Sequence, residues 1–338
     1  YRDVDGIKIQ GFYPIDGVSE VQKKQMQTQE GSNLSVMGIK GNFDDAQSGV
    51  KKIFSDGDIA AKLDANGVFL SSANSINWGR LVPQIVYYIS AYCDMYKSGA
   101  IALGESIDVC VPTGNFGNIF ACYIAKKMGL PVGKLICASN ANNVLTDFIR
   151  TGTYDRHRPL LKTISPSMDI LISSNLERLL YFISQDTDLV ADYMKQLNTQ
   201  GCYTVSQELK DAISQQFWAG YCDDARAQET IARVYKEQNY LCDTHTAAGW
   251  AVAEDYVRQT GDTRPMVVLS TASPYKFPAA VLSALEKTDE PDEFKQMQRL
   301  QELTGVPIPG NLQGLQEKPV RHTDVIAKEK MLAYVTAL

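Results

Sequence analysis

An apolar run from Ser106 to Val111 empties into a turn with two glycines, Pro112-Thr113-Gly114-Asn115-Phe116-Gly117-Asn118. An amphipathic stretch, Ile119 to Met128, follows at once. The chain then stops at Gly129-Leu130-Pro131 and re-enters an apolar run at Leu135 to Ala138, which completes a βαβ unit. Such a unit requires parallel strands with a right-handed crossover. Its turn also has chemical consequences. Glycine permits positive φ and close backbone approach, and the first turn of a helix carries N–H groups without intrahelical partners. Phosphate is therefore a suitable guest. The absence of Gly-x-x-x-x-Gly-Lys-Ser/Thr argues against a nucleoside triphosphate, and the absence of Gly-x-Gly-x-x-Gly against a dinucleotide. At this level an anion cradle and an ordinary β–α turn remain the two readings.

The surrounding sequence alternates in the same way. Strands are expected at Ile7–Tyr13, Leu34–Lys40 and Val68–Ser71, with helices at Ser19–Gln29 and Phe43–Phe54. Phe43, Ala46, Val50 and Phe54 make a helical stripe, with Asp44 and Asp45 in the first turn where the macrodipole favours them. Trp78 to Met95 reads as a long buried helix. Asn143 to Asp262 reads as mainly helical, and Met266 to Ser270 as a central parallel strand covered on both faces. A helical tail follows. The fold class expected is α/β, with open, mostly parallel sheets and helices on both faces. At 338 residues two domains are expected.

Composition narrows the partners. A net charge of −6 disfavours nucleic acid or an anionic membrane as the main target. No run approaches the roughly 20 apolar residues of a membrane span. The seven cysteines sit singly at 93, 110, 122, 137, 202, 222 and 242, and the three histidines are scattered. No metal site is expected, and the cysteines read as reduced core residues of a cytoplasmic protein.

The wording of several motifs is more specific than their spacing. Pro112 to Asn118 resembles the phosphate loop of the threonine synthases, pyridoxal-phosphate (PLP) enzymes of the tryptophan-synthase-β fold type (fold type II). The resemblance extends over most of the chain. It includes Phe12-Tyr13-Pro14, Gly17-Val18-Ser19, Gly41-Asn42-Phe43-Asp44-Asp45-Ala46-Gln47, and Asn74-Ser75-Ile76-Asn77-Trp78 leading to Arg80. Further on come Ser165-Pro166-Ser167-Met168-Asp169, Ser173-Ser174-Asn175-Leu176-Glu177-Arg178, Thr244-His245-Thr246-Ala247 and Ser270-Thr271-Ala272-Ser273-Pro274-Tyr275-Lys276.

One departure stands against these matches. In that family the lysine that forms the Schiff base with PLP lies in Phe-Lys-Asp, followed by Ser-Gly-Asp-Thr-Gly, and neither string occurs here. The resemblance puts both before the strand near Ile7. A chain that opens on Tyr1 and runs almost at once into a strand reads as the excerpt of a longer polypeptide, with its catalytic lysine upstream of Tyr1. By itself it is expected to be inactive. The expected domains are 1–74, the remainder of a smaller α/β domain, and 75–338, a large PLP-binding domain. The larger one carries a helical insertion at about 143–262 and the helical tail.

The resemblance assigns the PLP phosphate to Thr113, Gly114, Asn115, Phe116, Gly117 and Asn118. It also assigns the pyridine nitrogen to the hydroxyl of Thr271. A neutral hydroxyl leaves that nitrogen unprotonated and the ring a weaker electron sink, which suits elimination and replacement. A helix N-cap is the plainer reading of Ser270-Thr271. Asn74, Ser75, Asn77 and Arg80 match the region that holds the substrate's own phosphate, although capping with Arg80 in a salt bridge is the alternative. His245 and the Ser173–Glu177 cluster read as structural, the latter as a capping arrangement. Lys276 is a poor substitute for the missing lysine, because the family's lysine lies upstream. The reaction implied converts O-phospho-L-homoserine and water into L-threonine and phosphate, in a monomer or weak homodimer. A phospholyase releasing a keto acid is one rival, and a non-catalytic PLP- or phosphate-binding module is another.

Overall fold

A computed structural model describes residues 2–15, 18–41 and 43–336. Tyr1 and the motif residues Gly17 and Asn42 lie outside the described residues, as does the side chain of Phe43. The first elements are β1 (Ile9–Pro14), α1 (Glu20–Gln27), β2 (Leu34–Lys40), α2 (Phe43–Phe54) and α3 (Gly57–Asp64). Then come α4 (Trp78–Lys97), β3 (Ile107–Pro112), α5 (Gly117–Lys127), β4 (Val132–Ser139), α6 (Val144–Thr151) and β5 (Thr153–Asp155). They are followed by α7 (Leu176–Ser184), α8 (Thr187–Gln200), β6 (Cys202–Thr204), α9 (Gln207–Gln216), β7 (Phe217–Tyr221), α10 (Asp224–Gln238), α11 (Thr244–Thr260) and β8 (Met266–Val268). The chain closes with α12 (Pro278–Leu285), α13 (Glu293–Thr304), β9 (Val325–Ala327) and α14 (Met331–Thr336).

Two compact units result: Tyr1–Ser71 with Pro274–Leu338, and Ser72–Ser273. In the first, β1, β2 and β9 form a parallel sheet in that order. Ile39, Ala46, Ile53, Ile59, Leu63, Met331 and Val335 make its core. The tail therefore belongs with the first residues of the chain, not with the larger domain as the sequence reading had it. Backbone pairing of β9 to β2 is the physical reason. Val68–Ser71, expected as a strand, has no strand structure, and Phe69 is 85% exposed. On α2 the inward face is Ala46, Val50 and Ile53, while Phe54 reaches solvent.

The second unit is built on a parallel sheet in the order β7-β4-β3-β8. All six residues of β3 are buried. Its side chains alternate as a strand covered on both faces requires. Val109 and Val111 join the core with Ile119 and Tyr123 of α5, whereas Cys110 Sγ lies 3.2 Å from the Gly249 carbonyl of α11. Gly249 is glycine because a Cβ there would stand 2.9 Å from Pro112 Cγ. The stretch expected as a helical insertion also supplies β7 to this sheet and the antiparallel pair β5–β6. β8 is shorter than expected, half-buried, and an edge strand rather than a central one. Nor is α4 buried all round. Leu81, Ile85, Tyr88 and Tyr92 face inward, while Val82, Val86, Tyr87 and Ile89 are exposed. Among the described residues no helix is long and apolar enough to cross a membrane.

Candidate functional site

Parallel strands bring their carboxyl ends to one edge, and in open α/β sheets ligands sit there. At this edge β3 opens into the Thr113–Asn118 turn and β8 into Leu269-Ser270-Thr271. Cys110 is in register with Val268. Thr113 and Thr271 therefore stand three residues past equivalent positions on adjacent strands.

The turn is built without a cap of its own. Phe116 occupies the N-cap position of α5 at φ +63°, in the left-handed region, and no side chain caps the helix. Positive φ falls on this phenylalanine and on neither glycine, contrary to the expectation that glycine supplied it. For a residue with a Cβ the conformation costs about 1–2 kcal/mol. The ring is 1% exposed and packs against Phe217 at 5.6 Å, so core burial holds the backbone in place. The glycines serve close approach instead. A Cβ on Gly114 would meet Ser167 O at 2.8 Å and Met168 Cα at 3.2 Å. A Cβ on Gly117 would meet Ser75 Cβ at 2.7 Å and Asn175 Nδ2 at 3.3 Å. The leading N–H groups of α5 thus belong to a helix end without a side-chain cap, with Ser75 and Asn175 close against Gly117, and such an end can serve an anion.

Neighbouring residues divide between lining this helix end and supporting it. The Thr113 N–H donates to Ala138 O at 2.8 Å and its hydroxyl to Val111 O at 2.6 Å, so both are committed to the strands. Buried Tyr88 of α4 donates its hydroxyl to Asn118 Oδ1 at 2.6 Å and to Asn118 O at 2.8 Å. Behind Gly114, residues 163–169 are fixed by a buried amide and carboxylate network. Asn140 and Asn142 each donate to Asp169 Oδ1, at 2.8 and 2.9 Å. His245 joins it from α11. Its Nε2 accepts the Ser167 N–H at 3.2 Å, and its Nδ1 lies 2.9 Å from Asp243 Oδ1. An accepting Nε2 puts the proton of a neutral ring on Nδ1, facing Asp243. This is the structural role the sequence indicated.

The second candidate cluster lies beside the first. Asn74 Oδ1 accepts the Ile76 N–H at 2.9 Å, and Asn77 Oδ1 caps α4 through the Gly79 N–H at 2.9 Å. Local capping thus occupies part of both amides. Arg80 is exposed, donates through Nε to Ala73 O at 3.3 Å, and forms no ion pair among the described residues. Thr271 is exposed, whereas neighbouring Ser270 accepts from Tyr240 at 3.0 Å. Lys276 belongs to the first unit, where its carbonyl accepts from Ser19 Oγ at 2.9 Å.

Residues 173–178, whose Ser173–Glu177 part reads from the sequence as a capping arrangement, border both clusters. Asn175 stands at the N-cap of α7 but caps nothing. Its fully buried amide donates to Ser75 Oγ and to Asn115 O, both at 2.9 Å. Arg178 donates to Ser75 O at 2.8 Å and to Ile76 O. Ser173 Oγ donates to Gly114 O at 2.8 Å. The only sequence signal was a dense run of short polar residues, which reads equally well as a cap. Among the described residues no group of three or more His, Cys, Asp or Glu residues could hold a metal ion.

Known proteins resemble this chain over much of its length. A family model described as threonine synthase, C-terminal, matches residues 246–335. Human threonine synthase-like 1 is 44% identical over 288 residues, covering 84% of this chain and 38% of that protein. Threonine synthase of Pseudomonas aeruginosa is 40% identical over 287 residues, covering 84% of this chain and 58% of the enzyme. The solved structure of PLP-bound threonine synthase from Brucella melitensis superposes with a TM-score of 0.79 at 36% identity, over 98% of this chain and 66% of that one. The chain therefore spans about 40 to 60% of the length of these two sequence relatives.

Proposed function

Over the length it spans this chain belongs to the threonine synthase family, and from that premise we propose that it carries the cofactor-phosphate and substrate sites of a PLP enzyme. The reaction is conversion of O-phospho-L-homoserine and water into L-threonine and phosphate, in a cytoplasmic setting. One observation supports it above others: an uncapped α5 whose two flanking glycines are each walled in where a Cβ would stand. The N–H groups of Gly117 and Asn118 would hold the cofactor phosphate, with Asn115 and Asn118 beside them. The Thr271 hydroxyl would donate to the ring nitrogen. PLP, when bound, supplies an electron sink for charge developing on the substrate carbons. Asn74, Ser75, Asn77 and Arg80 would hold the substrate phosphate and neutralise it as it leaves. No Phe-Lys-Asp string is present. Alone, the chain should bind PLP and leave no lysine adduct after borohydride reduction.

The test has two parts. Equilibrium dialysis of the isolated chain against PLP should show saturable binding, and its absence would sink the cofactor assignment. In an active polypeptide containing this chain, Arg80→Ala should lower kcat/KM for phosphohomoserine by roughly 30- to 1000-fold, the cost of a charge-assisted contact to a desolvated phosphate. The ratio to a non-phosphorylated amino acid such as serine must fall with it. An unchanged ratio rejects the phosphate site. Product analysis matters too, because the 44% relative is named only as like a threonine synthase. A keto acid in place of threonine would identify a phospholyase.

A further inference from the structure

Three separate stretches of chain meet at Asn175. Its side-chain amide is shared between Ser75 Oγ and the Asn115 carbonyl, both at 2.9 Å, and its backbone N–H donates to the same carbonyl at 3.1 Å. Its Oδ1 accepts from Arg178 Nη1 at 2.8 Å. The same guanidinium nitrogen donates to Ser75 O at 2.8 Å, and Nη2 donates to Ile76 O. Ser174 Oγ donates to Asn115 Oδ1 at 3.3 Å. Across the gap Ser75 lies against Gly117, where even a Cβ would not fit. A fully buried amide whose donors serve two segments has no freedom to satisfy one without the other. Displacing Ser75 leaves an Asn175 donor unsatisfied, and displacing Asn115 does the same from the other side.

We propose that Asn175 and Arg178 are positioning residues that link the two anion pockets energetically. An anion at the Thr113–Asn118 loop fixes Asn115, hence Asn175, hence the Ser75–Asn77 segment. An anion at that segment acts in reverse, and linkage requires the two effects to be equal. Arg178 adds a fixed positive charge to the carbonyl side of the segment, which favours negative charge in both pockets. The inference rests on the function proposed above and goes beyond it. It makes cofactor affinity depend on whether the substrate phosphate is bound.

The measurement is the PLP dissociation constant of the isolated chain with and without saturating propyl phosphate. This alkyl phosphate lacks an amine and cannot condense with the cofactor. In the parent, propyl phosphate should tighten PLP binding about fivefold or more, within the usual span of couplings. In Arg178→Met PLP binding without propyl phosphate should itself weaken, because a favourable charge is lost, and the ratio should fall to within about twofold of one. Arg178→Lys should restore part of the ratio, because one donor can still reach a carbonyl. Asn175→Asp, of equal size but lacking the two N–H donors, should abolish the ratio if it folds, and Arg178→Met carries the test if it does not. A parent ratio of one, or a ratio unchanged in Arg178→Met, overturns the linkage and leaves the function reading standing. A parent that binds no PLP overturns both.

Discussion

Two helices begin at the same edge of the second unit and treat their N-termini in opposite ways. At α11 the chain supplies its own anion. Asp243 is fully buried, and its carboxylate accepts from the His245 N–H at 2.8 Å, the Thr246 N–H at 3.4 Å and the Thr246 hydroxyl, with His245 Nδ1 at 2.9 Å. At α5 no side chain fills the place, and two glycines keep it open. Every orphan N–H group needs a partner, so the difference lies in where the partner comes from. A self-filled end stabilises the fold, whereas an open one reserves its donors for a guest. The contrast separates a helix end filled from within from one that the proposed function fills with a guest.

The contrast makes predictions of decreasing size. Asp243→Ala removes a buried carboxylate and strands several donors, and should cost roughly 3 kcal/mol of unfolding free energy. Urea denaturation measures it, and a loss under about 0.5 kcal/mol, the range of a neutral surface change, would mean that α11 does not depend on its internal anion. A matched glycine pair sharpens the point. Gly114→Ala and Gly249→Ala each push a Cβ to within 3 Å of a neighbour, the first toward a backbone oxygen behind the α5 turn and the second, from α11, toward Pro112 at the end of β3. Both should lose about 1–3 kcal/mol of stability by overpacking. Only Gly114→Ala should also weaken PLP binding to the folded chain, by roughly tenfold, or 1.4 kcal/mol. Equal binding losses in the two would erase the distinction between the helices.

The smallest effect concerns a third buried carboxylate, Asp108, at the opposite end of β3. It accepts from the Lys134 N–H at 2.6 Å and lies 3.2 Å from Arg264, yet its other oxygen has no hydrogen-bond partner among the described residues. Burial pushes its carboxyl above the usual range, against the opposing pull of the Lys134 N–H and Arg264. The sign follows from a raised folded value. The contribution of this group to stability is fully present below the unfolded carboxylate pKa and lost as pH rises through the folded one. Asp108→Asn should therefore compare more favourably with the parent at pH 7 than at pH 3.5. Paired denaturation curves at the two pH values check this, and the reverse trend would reject it.

Much of this was legible in the sequence for a simple reason: local signals report local structure. The strand–turn–helix at Gly114 was readable because periodicity switches from two to 3.6 across two glycines. β2 and α2 have the limits their patterns implied. What was hidden depends on distant partners. β7 follows α9 without a turn residue, and becomes a strand because β4 offers hydrogen bonds to Phe217–Tyr221. β9 pairs with a strand nearly three hundred positions earlier, as Gly38 with Val325 shows. Asn175 looked like a cap because its true partner, Ser75, is 100 residues away. Propensity and spacing have no access to such contacts.

The left-handed backbone of Phe116 has a thermal consequence. Because the ring is locked among core aromatics, the turn keeps its shape for as long as the core does and has no softer melting of its own. Affinity for an anion at α5 should then vary smoothly on warming and collapse only at the global transition, with no earlier fading of binding. Phe116→Gly would release this connection. Glycine accepts the same φ but carries no ring, so binding should begin to fade several degrees before the chain unfolds, as calorimetry of PLP binding at rising temperature would record. The hydrophobic core then acts as the thermostat of the cradle.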